Sequence, residues 1–342
     1  MIKPFKLNPG DTIGIFTPTY AGYAQNEELF QNAIKNVEAL GFKIKLGALT
    51  DERKSQGYRS APPLDRAKEM MDLVGDPEVD ALLVTCGGAN SSSLIPYLNF
   101  NKIREARKPI CGYSDITSLH LAIAKYSGLR TFYSPSLMLW FGEWPHGVPE
   151  STKYFLEAVS NHLNGPREFH VPAKFSNHKL SWENDDWKNI PREWKDNEGW
   201  KVLNRGEAEA PIVPANLNTL MTAAGTDYFP DLNGKILLIE DMDAPQSHTE
   251  RCFRQLDLMG VLDNLAGLII GKPEVYGQEG APFGYDELIQ EVVGARDYPI
   301  VSEFDCSHTN PMLTVPYYAK VRLRAFDKAE FILLEGSVVE RV

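Results

Sequence analysis

Short apolar runs alternate with helical patterns through the first half of the 342-residue chain. Residues 12–16, 42–46 and 81–85 have the composition of strands, whereas residues 26–40 and 63–74 have the spacing of helices. Strand–helix alternation at this pitch predicts an α/β fold, with a parallel sheet covered by helices on both faces. Ligands bind such sheets beyond the carboxyl ends of the strands.

The later parts of the chain have a different character, and the length suits roughly two domains. We predict an N-terminal α/β domain over residues 1–165 and a smaller, β-rich domain over residues 207–342, with one helix at 249–259. Between them, residues 166–206 hold four of the six tryptophans among many charges and sustain no periodicity. This Trp-rich segment is predicted to be a linker or substrate loop.

Composition excludes several classes of protein. The net charge of −11 argues against binding to nucleic acid polymers, which needs clustered cations. No apolar run approaches the length of a membrane span, and residues 1–11 lack the apolar core of a secretory signal. The four cysteines form no C-x-x-C pair, and Cys86 and Cys111 lie in apolar runs. We expect a cytoplasmic protein that uses no metal and no cofactor and does not bind membranes.

The sharpest local signal is residues 110–117, Ile-Cys-Gly-Tyr-Ser-Asp-Ile-Thr, where a strand passes into a helix. Ser114 would stand at the turn, with its hydroxyl above the sheet and beside a helix N-terminus that favours an oxyanion. The segment is not a complete G-x-S-x-G elbow, however. Ser114 or Asp115 could equally act only as the N-cap of the helix.

A second turn follows the buried strand at residues 81–85 and contains Gly87 and Gly88. Glycines let a backbone approach a ligand closely, so one of their N–H groups could join the Asp115 N–H in holding an oxyanion. An ordinary strand-to-helix turn explains the same residues. The turn matches neither the dinucleotide-binding nor the ATP-binding glycine motif.

A serine nucleophile needs a base, and the base needs a group to orient it. His308 follows the apolar run 300–304 in a loop of small and polar residues, and Glu240 directly follows the apolar run 237–239. Glu240 could accept a hydrogen bond from one imidazole nitrogen while the other faces Ser114. A solvated loop histidine and an exposed carboxylate remain the alternatives.

Taken together, these segments resemble the LD-carboxypeptidase family of serine peptidases, and the resemblance spans essentially the whole chain. It rests on residues 7–15, 85–88, 112–117, 239–241 and 306–309. Residues 87–98 and the Trp-rich segment resemble the microcin C self-immunity branch of that family.

The resemblance implies a flavodoxin-like, parallel-sheet N-terminal domain, a smaller β-rich C-terminal domain and a homodimer. It also implies roles for six residues: Ser114 as nucleophile, His308 as general base, Glu240 as its orienting carboxylate, and Gly87, Gly88 and Asp115 as the oxyanion hole.

Two further residues are substrate-binding candidates by the same resemblance. Trp182 would stack on a nucleobase, a contact worth about 1–3 kcal/mol, although it could instead anchor the loop by packing. Asn216 matches the asparagine of a family Gly-Gly-Asn-Leu segment. Pro214 and Ala215 replace both glycines here, which leaves open how the backbone reaches Asn216.

The predicted function is hydrolysis of the amide-type bond between an aminoacyl or peptidyl group and a nucleotide, as in aminoacyl adenylate analogues of the microcin C type. The tryptophans of residues 182–200 favour this substrate, because a murein peptide has no base to stack. The alternatives are a muramoyl-tetrapeptide LD-carboxypeptidase of murein recycling and, in another class, a non-catalytic protein that binds a small ligand.

Overall fold

The computed structural model describes residues 1–160, 165–242, 244–274 and 279–341. The first part of the chain contains five strands: β1 (Thr12–Phe16), β2 (Lys43–Leu46), β3 (Ala81–Val84), β4 (Ile110–Gly112) and β5 (Phe132–Tyr133). Its α-helices are α1 (Gly22–Gln25), α2 (Glu27–Glu38), α3 (Ala48–Asp51), α4 (Pro63–Gly75), α5 (Phe100–Ala106), α6 (Thr117–Ser127) and α7 (Pro149–Val159). Two 3₁₀-helices, Ser91–Tyr97 and Ser114–Ile116, and one π-helical turn, Leu137–Phe141, complete it.

The strands of the rest of the chain are β6 (Arg167–Phe169), β7 (Lys174–Phe175), β8 (Lys195–Asp196), β9 (Lys201–Asn204), β10 (Gly206–Asn216), β11 (Ile236–Glu240), β12 (Gly267–Gly271), β13 (Ile300–Phe304), β14 (Val315–Pro316), β15 (Lys320–Ala325) and β16 (Ala329–Leu333). Its helices are α8 (Asp186–Asn189), α9 (Leu217–Thr222), α10 (Gln246–Leu258) and α11 (Tyr285–Val293).

Strands β1 to β5 form a parallel sheet in the order 2-1-3-4-5, which is the flavodoxin-like order. Neighbouring residues of β3 face opposite sides: Leu83 joins the apolar cluster around Phe30, and Leu82 joins the cluster around Leu119. Both faces are therefore covered, which explains why β3 is apolar throughout. The predicted α/β fold of this part is confirmed.

The second sheet has eight strands in the order 6-16-15-10-11-12-13-9. Strands β10 to β13 are parallel at its centre, and antiparallel strands flank them. The β-rich C-terminal region is thus confirmed, and α10 matches the predicted helix. Helices α9 and α11 were not predicted. Because β12 and β13 are parallel neighbours, the chain must cross over between them, and α11 lies in that connection.

The Trp-rich segment contains more regular structure than a linker. Strand β6 pairs with β16 at one edge of the eight-stranded sheet, and β9 pairs with β13 at the other. Between them, β7 and β8 form a separate two-stranded ribbon. Strands at a sheet edge are short and pair on one side only, so they leave little periodicity in the sequence.

The two sheets are not independent along the chain. Strand β14, from the last 30 residues, pairs antiparallel with β5 and completes the first sheet as its sixth strand.

All four cysteines are buried and free, as expected for Cys86 and Cys111. None of the described helices is long and apolar enough to cross a membrane.

Gly271 ends β12 where the backbone passes close to Glu240. A Cβ atom at Gly271 would lie 2.7 Å from the Glu240 Cβ and 2.7 Å from the carbonyl oxygen of Cys306. We predict that Gly271→Ala lowers the free energy of unfolding by about 1–3 kcal/mol, because those atoms must move apart. Chemical denaturation measures this loss.

Gly75→Ala is the matched control. Gly75 ends α4, and a Cβ atom there would meet nothing within 4 Å. The free energy of unfolding of this variant should therefore equal or slightly exceed that of the wild type. Equal losses in the two variants would contradict the steric explanation.

Candidate active site

Ser114 stands at a sharp turn between β4 and α6. Its φ angle is +61°, in the left-handed region that non-glycine residues rarely adopt. The Ser114 N–H donates a hydrogen bond to the Tyr133 hydroxyl at 3.1 Å, and the Asp115 carboxylate accepts one from the Ser91 N–H at 2.8 Å. Neither side chain caps the helix, since Ile116 occupies the N-cap position of α6 without a side-chain hydrogen bond. The strained turn presents the Ser114 hydroxyl at the carboxyl edge of the sheet.

Ser114, His308 and Glu240 lie together, although they are distant in sequence. The Nε2 atom of His308 is 3.2 Å from Ser114 Oγ, and its Nδ1 atom is 2.5 Å from Glu240 Oε2. Glu240 is fully buried at the end of β11, and the imidazole side chain is only 5% exposed. The arrangement is that of a nucleophile, a base and a group that orients the base.

The second oxygen of Glu240 is also held. It accepts hydrogen bonds from Asn216 Nδ2 at 3.1 Å and from the Tyr133 hydroxyl. Asn216 ends β10 opposite Glu240, so the strand pairing places it there. Pro214 and Ala215 lie within β10, so the backbone reaches Asn216 as a strand without the two family glycines.

Tyr133 is a member of the site that the sequence interpretation missed. It ends β5, next to the strand that leads to Ser114, and its hydroxyl joins the Ser114 N–H to the Glu240 carboxylate. Its position at a strand end beside β4 was the available signal. That signal was weak, because β5 has only two residues.

The charges around His308 favour its protonated form. Burial alone would lower the pKa of His308, but the charge of Glu240, its hydrogen bond and the other nearby carboxylates together raise that pKa above the ordinary value. Those other carboxylates are Glu274 and Asp241. Burial and the neighbouring Glu240 charge in turn raise the pKa of Asp241 to about 6.

The Gly87–Gly88 turn lies between Ser114 and the loop after β1. A Cβ atom on Gly87 would lie 3.0 Å from the Ser114 Cβ, whereas one on Gly88 would meet the Thr19 side chain at 2.7 Å. The Thr19 hydroxyl donates to the Gly87 carbonyl at 2.7 Å. Since N–H and C=O of a trans peptide point in opposite directions, the Gly88 N–H points away from Thr19. The side-chain position of Gly87 is thus next to Ser114, and that of Gly88 is next to Thr19.

A cavity of about 590 Å³ opens beside Ser114, and Trp182 lines it. A Cβ atom on Gly22 would lie 3.2 Å from the Trp182 ring, so the ring packs against this glycine. The backbone carbonyl of Trp182 accepts a hydrogen bond from Asn26 Nδ2 at 2.9 Å. Trp182 is therefore anchored by packing and available at the cavity wall. Among the described residues, no group of three or more His, Cys, Asp or Glu side chains could hold a metal ion.

Residues 13–134 match the LD-carboxypeptidase N-terminal domain, and residues 209–323 match the LD-carboxypeptidase C-terminal domain. The chain belongs to the LD-carboxypeptidase family. Both matched regions contribute to the site: Ser114 lies in the first, and Glu240 and His308 lie in the second. The family resemblance seen in the sequence is thereby confirmed.

Relatives within the family carry two kinds of name. The microcin C7 self-immunity protein MccF of Escherichia coli is 34% identical over 330 residues, covering 96% of this chain and 94% of its own. A probable murein peptide carboxypeptidase of Bacillus subtilis is 28% identical over 343 residues, covering 99% of this chain and 96% of its own. The structure of MccF with aspartyl sulfamoyl adenosine matches with a TM-score of 0.93 at 32% identity, covering 99% of this chain and all of the other.

Removing the Tyr133 hydroxyl should impair the site while sparing the fold. We predict that Tyr133→Phe lowers kcat for substrate hydrolysis about 10- to 100-fold. In this variant Glu240 loses a charge-assisted hydrogen bond and the Ser114 N–H loses its acceptor. Steady-state kinetics measure the change. Tyr298→Phe removes a buried hydroxyl bonded to the Leu262 carbonyl and should leave kcat unchanged. Equal kcat in both variants would contradict the assignment.

The pH dependence of activity should report the carboxylates around His308. A general base must be neutral, so kcat/KM rises as the pH increases through the pKa of His308. We predict that Asp241→Asn lowers that pKa and moves the acid limb to lower pH by about 0.5–1 unit, since one negative charge is lost. The exposed carboxylate of Asp327 supplies the control, Asp327→Asn, whose profile should match the wild type. A limb that stays in place or moves to higher pH in Asp241→Asn would overturn this account.

Proposed function

We propose that this protein is a serine hydrolase that cleaves the amide-type bond between an aminoacyl or peptidyl group and a nucleotide. The observation that carries the proposal is the hydrogen-bonded series Ser114–His308–Glu240 opening onto a cavity with Trp182 in its wall. Such a series activates a serine hydroxyl, and the cavity has room for a substrate of this size.

In the proposed reaction, His308 Nε2 removes the proton from Ser114 Oγ as the oxygen attacks the acyl carbonyl carbon. Glu240 stabilises the resulting imidazolium through Nδ1. The backbone N–H groups of Asp115 and of the Gly87–Gly88 turn stabilise the oxyanion. His308 then gives its proton to the departing nitrogen as the C–N bond breaks, which leaves an acyl-enzyme. Water, deprotonated by His308, hydrolyses that ester and regenerates Ser114.

The relatives support a hydrolase, and the nucleotide part of the substrate is supported in particular by MccF. MccF has been solved with both aspartyl sulfamoyl adenosine and glutamyl sulfamoyl guanosine. Trp182 offers an aromatic face in the cavity wall, and a stacked base is held in a way that tolerates different bases.

The second candidate is trimming of murein tetrapeptides, which the Bacillus subtilis relative favours. It would use the same three side chains, but a tetrapeptide has no base to occupy the Trp182 face. A purely ligand-binding role would not require Ser114, His308 and Glu240 to converge, and their convergence counts against it.

We further propose that the protein acts in the cytoplasm and that it forms a homodimer, the latter as the family resemblance implies. Its partners would be small molecules. The net charge of −11 disfavours nucleic acid polymers.

Hydrolysis of two compounds tests the function. We predict that the wild type cleaves aspartyl sulfamoyl adenosine and that Ser114→Ala loses at least about three decades of kcat, since the nucleophile is gone. The second compound is a murein tetrapeptide with its LD-linked terminal residue, and product formation is followed by chromatography.

Each outcome separates the candidates. Cleavage of the tetrapeptide alone would replace the nucleotide proposal with murein trimming. Cleavage of neither compound, with equal binding to wild type and Ser114→Ala, would falsify the hydrolase proposal. Ser118→Ala, in the helix after the nucleophile, is the matched serine control and should retain full activity.

A further inference from the structure

A buried ion pair lies behind the loop that carries His308. Asp305 directly follows β13, Lys272 directly follows β12, and both are 1% exposed or less. Lys272 Nζ is 3.2 Å from Asp305 Oδ1. A single contact at this distance does not compensate two charges for the loss of water, so such a pair needs additional hydrogen bonds.

Those additional bonds come from the Trp-rich segment. Trp200 Nε1 donates to Asp305 Oδ2 at 2.9 Å, and Asn197 Nδ2 donates to Asp305 Oδ1 at 3.1 Å. Asn197 Oδ1 accepts from Lys272 Nζ at 3.1 Å, and the ring centroid of Phe175 lies 4.4 Å from the same ammonium. The segment therefore supplies an indole, an amide and an aromatic face to one ion pair.

The same ion pair marks the start of the His308 loop. The Asp305 carbonyl accepts a hydrogen bond from the Leu313 N–H at 2.7 Å, which closes the loop over residues 305–313. Within it, Asn310 exchanges two backbone hydrogen bonds with Ser176 of the Trp-rich segment, at 2.7 and 2.9 Å. The His308 loop is thus attached to the segment on both sides of the imidazole.

The segment also forms one wall of the cavity. Residues 179–183, which include Trp182, line the cavity beside Ser114. They lie between the two attachment points, since Ser176 precedes them and Asn197 follows them along the chain. The segment that forms this cavity wall is therefore attached, on both sides of residues 179–183, to the loop that carries the candidate general base.

We propose that Asp305 is a positioning residue of this active site, which holds the His308 loop and the cavity wall in a fixed relation through Lys272, Asn197 and Trp200. The inference rests on the proposed function for its kinetic consequences. Its structural consequence, a fixed imidazole geometry, does not require turnover. A base displaced by about 1 Å loses much of its rate, so the anchor should act on kcat more than on KM.

The test removes one donor at a time. Replacing Asp305 itself would leave Lys272 buried without its counter-charge, so the test variants are Trp200→Phe and Asn197→Ala. Trp200→Phe keeps a ring against Phe304, 4.6 Å away, and removes the N–H. Trp194→Phe is the matched control, because Trp194 lies in the same segment and is 39% exposed.

Two readouts are taken on each folded variant, with thermal unfolding confirming that it is folded. The first is kcat and KM for aspartyl sulfamoyl adenosine. The second is the low-field proton resonance of His308 Nδ1–H in its hydrogen bond to Glu240, assigned by its absence in His308→Asn. The resonance needs no substrate.

We expect kcat to fall about tenfold in Trp200→Phe and in Asn197→Ala, with KM changed less than about twofold, and the resonance to shift or broaden. Trp194→Phe should match the wild type in both. An unchanged resonance and kcat in both test variants, or a rise in KM alone, would overturn the proposal. A wild type that cleaves no compound would contradict the proposed function instead, and the resonance would still decide the positioning role.

Discussion

The buried carboxylate of Glu240 is the group around which the two sheets are organised. A carboxylate without solvent is tolerated only when hydrogen-bond donors surround it. Its donors come from three separate places: Tyr133 at the end of β5, Asn216 at the end of β10, and His308 after β13. One of these strands belongs to the first sheet and two belong to the second. Satisfying this single charge therefore requires both sheets to be assembled against each other.

Much of the fold and the position of the candidate triad could be predicted from strand ends. Glu240 ends β11 and His308 comes shortly after β13, and parallel strands of the second sheet bring these two carboxyl ends to one edge. Ser114 follows β4 of the first sheet, so its meeting with the other two depends on how the two sheets pack. Asn216 was a sequence candidate for substrate binding, but its contact with Glu240 follows from the pairing of β10 with β11, which local pattern does not reveal. Tyr133 reaches Glu240 from the other sheet and was missed. Helix α11 and the edge strands β6 and β9 were missed because each is short and depends on a neighbour for stability.

The Trp-rich segment illustrates why similar sequence contexts can end in different environments. Trp187 is buried in the N-terminal core, Trp200 packs on Phe304, Trp194 is partly exposed and Trp182 lines the cavity. All four stand among charged and polar residues, so composition could not separate them. Their burial is decided by partners that lie far away in sequence, which is a tertiary property rather than a local one.

Strand β14 has a consequence for the order in which the molecule can be completed. It comes from near the carboxyl end of the chain, yet it covers the free edge of β5, which is next to the strand leading to Ser114. During synthesis the N-terminal sheet keeps that edge open until residues 315–316 have emerged. The sheet that leads to the nucleophile therefore receives its sixth strand from the part of the chain that also bears the base.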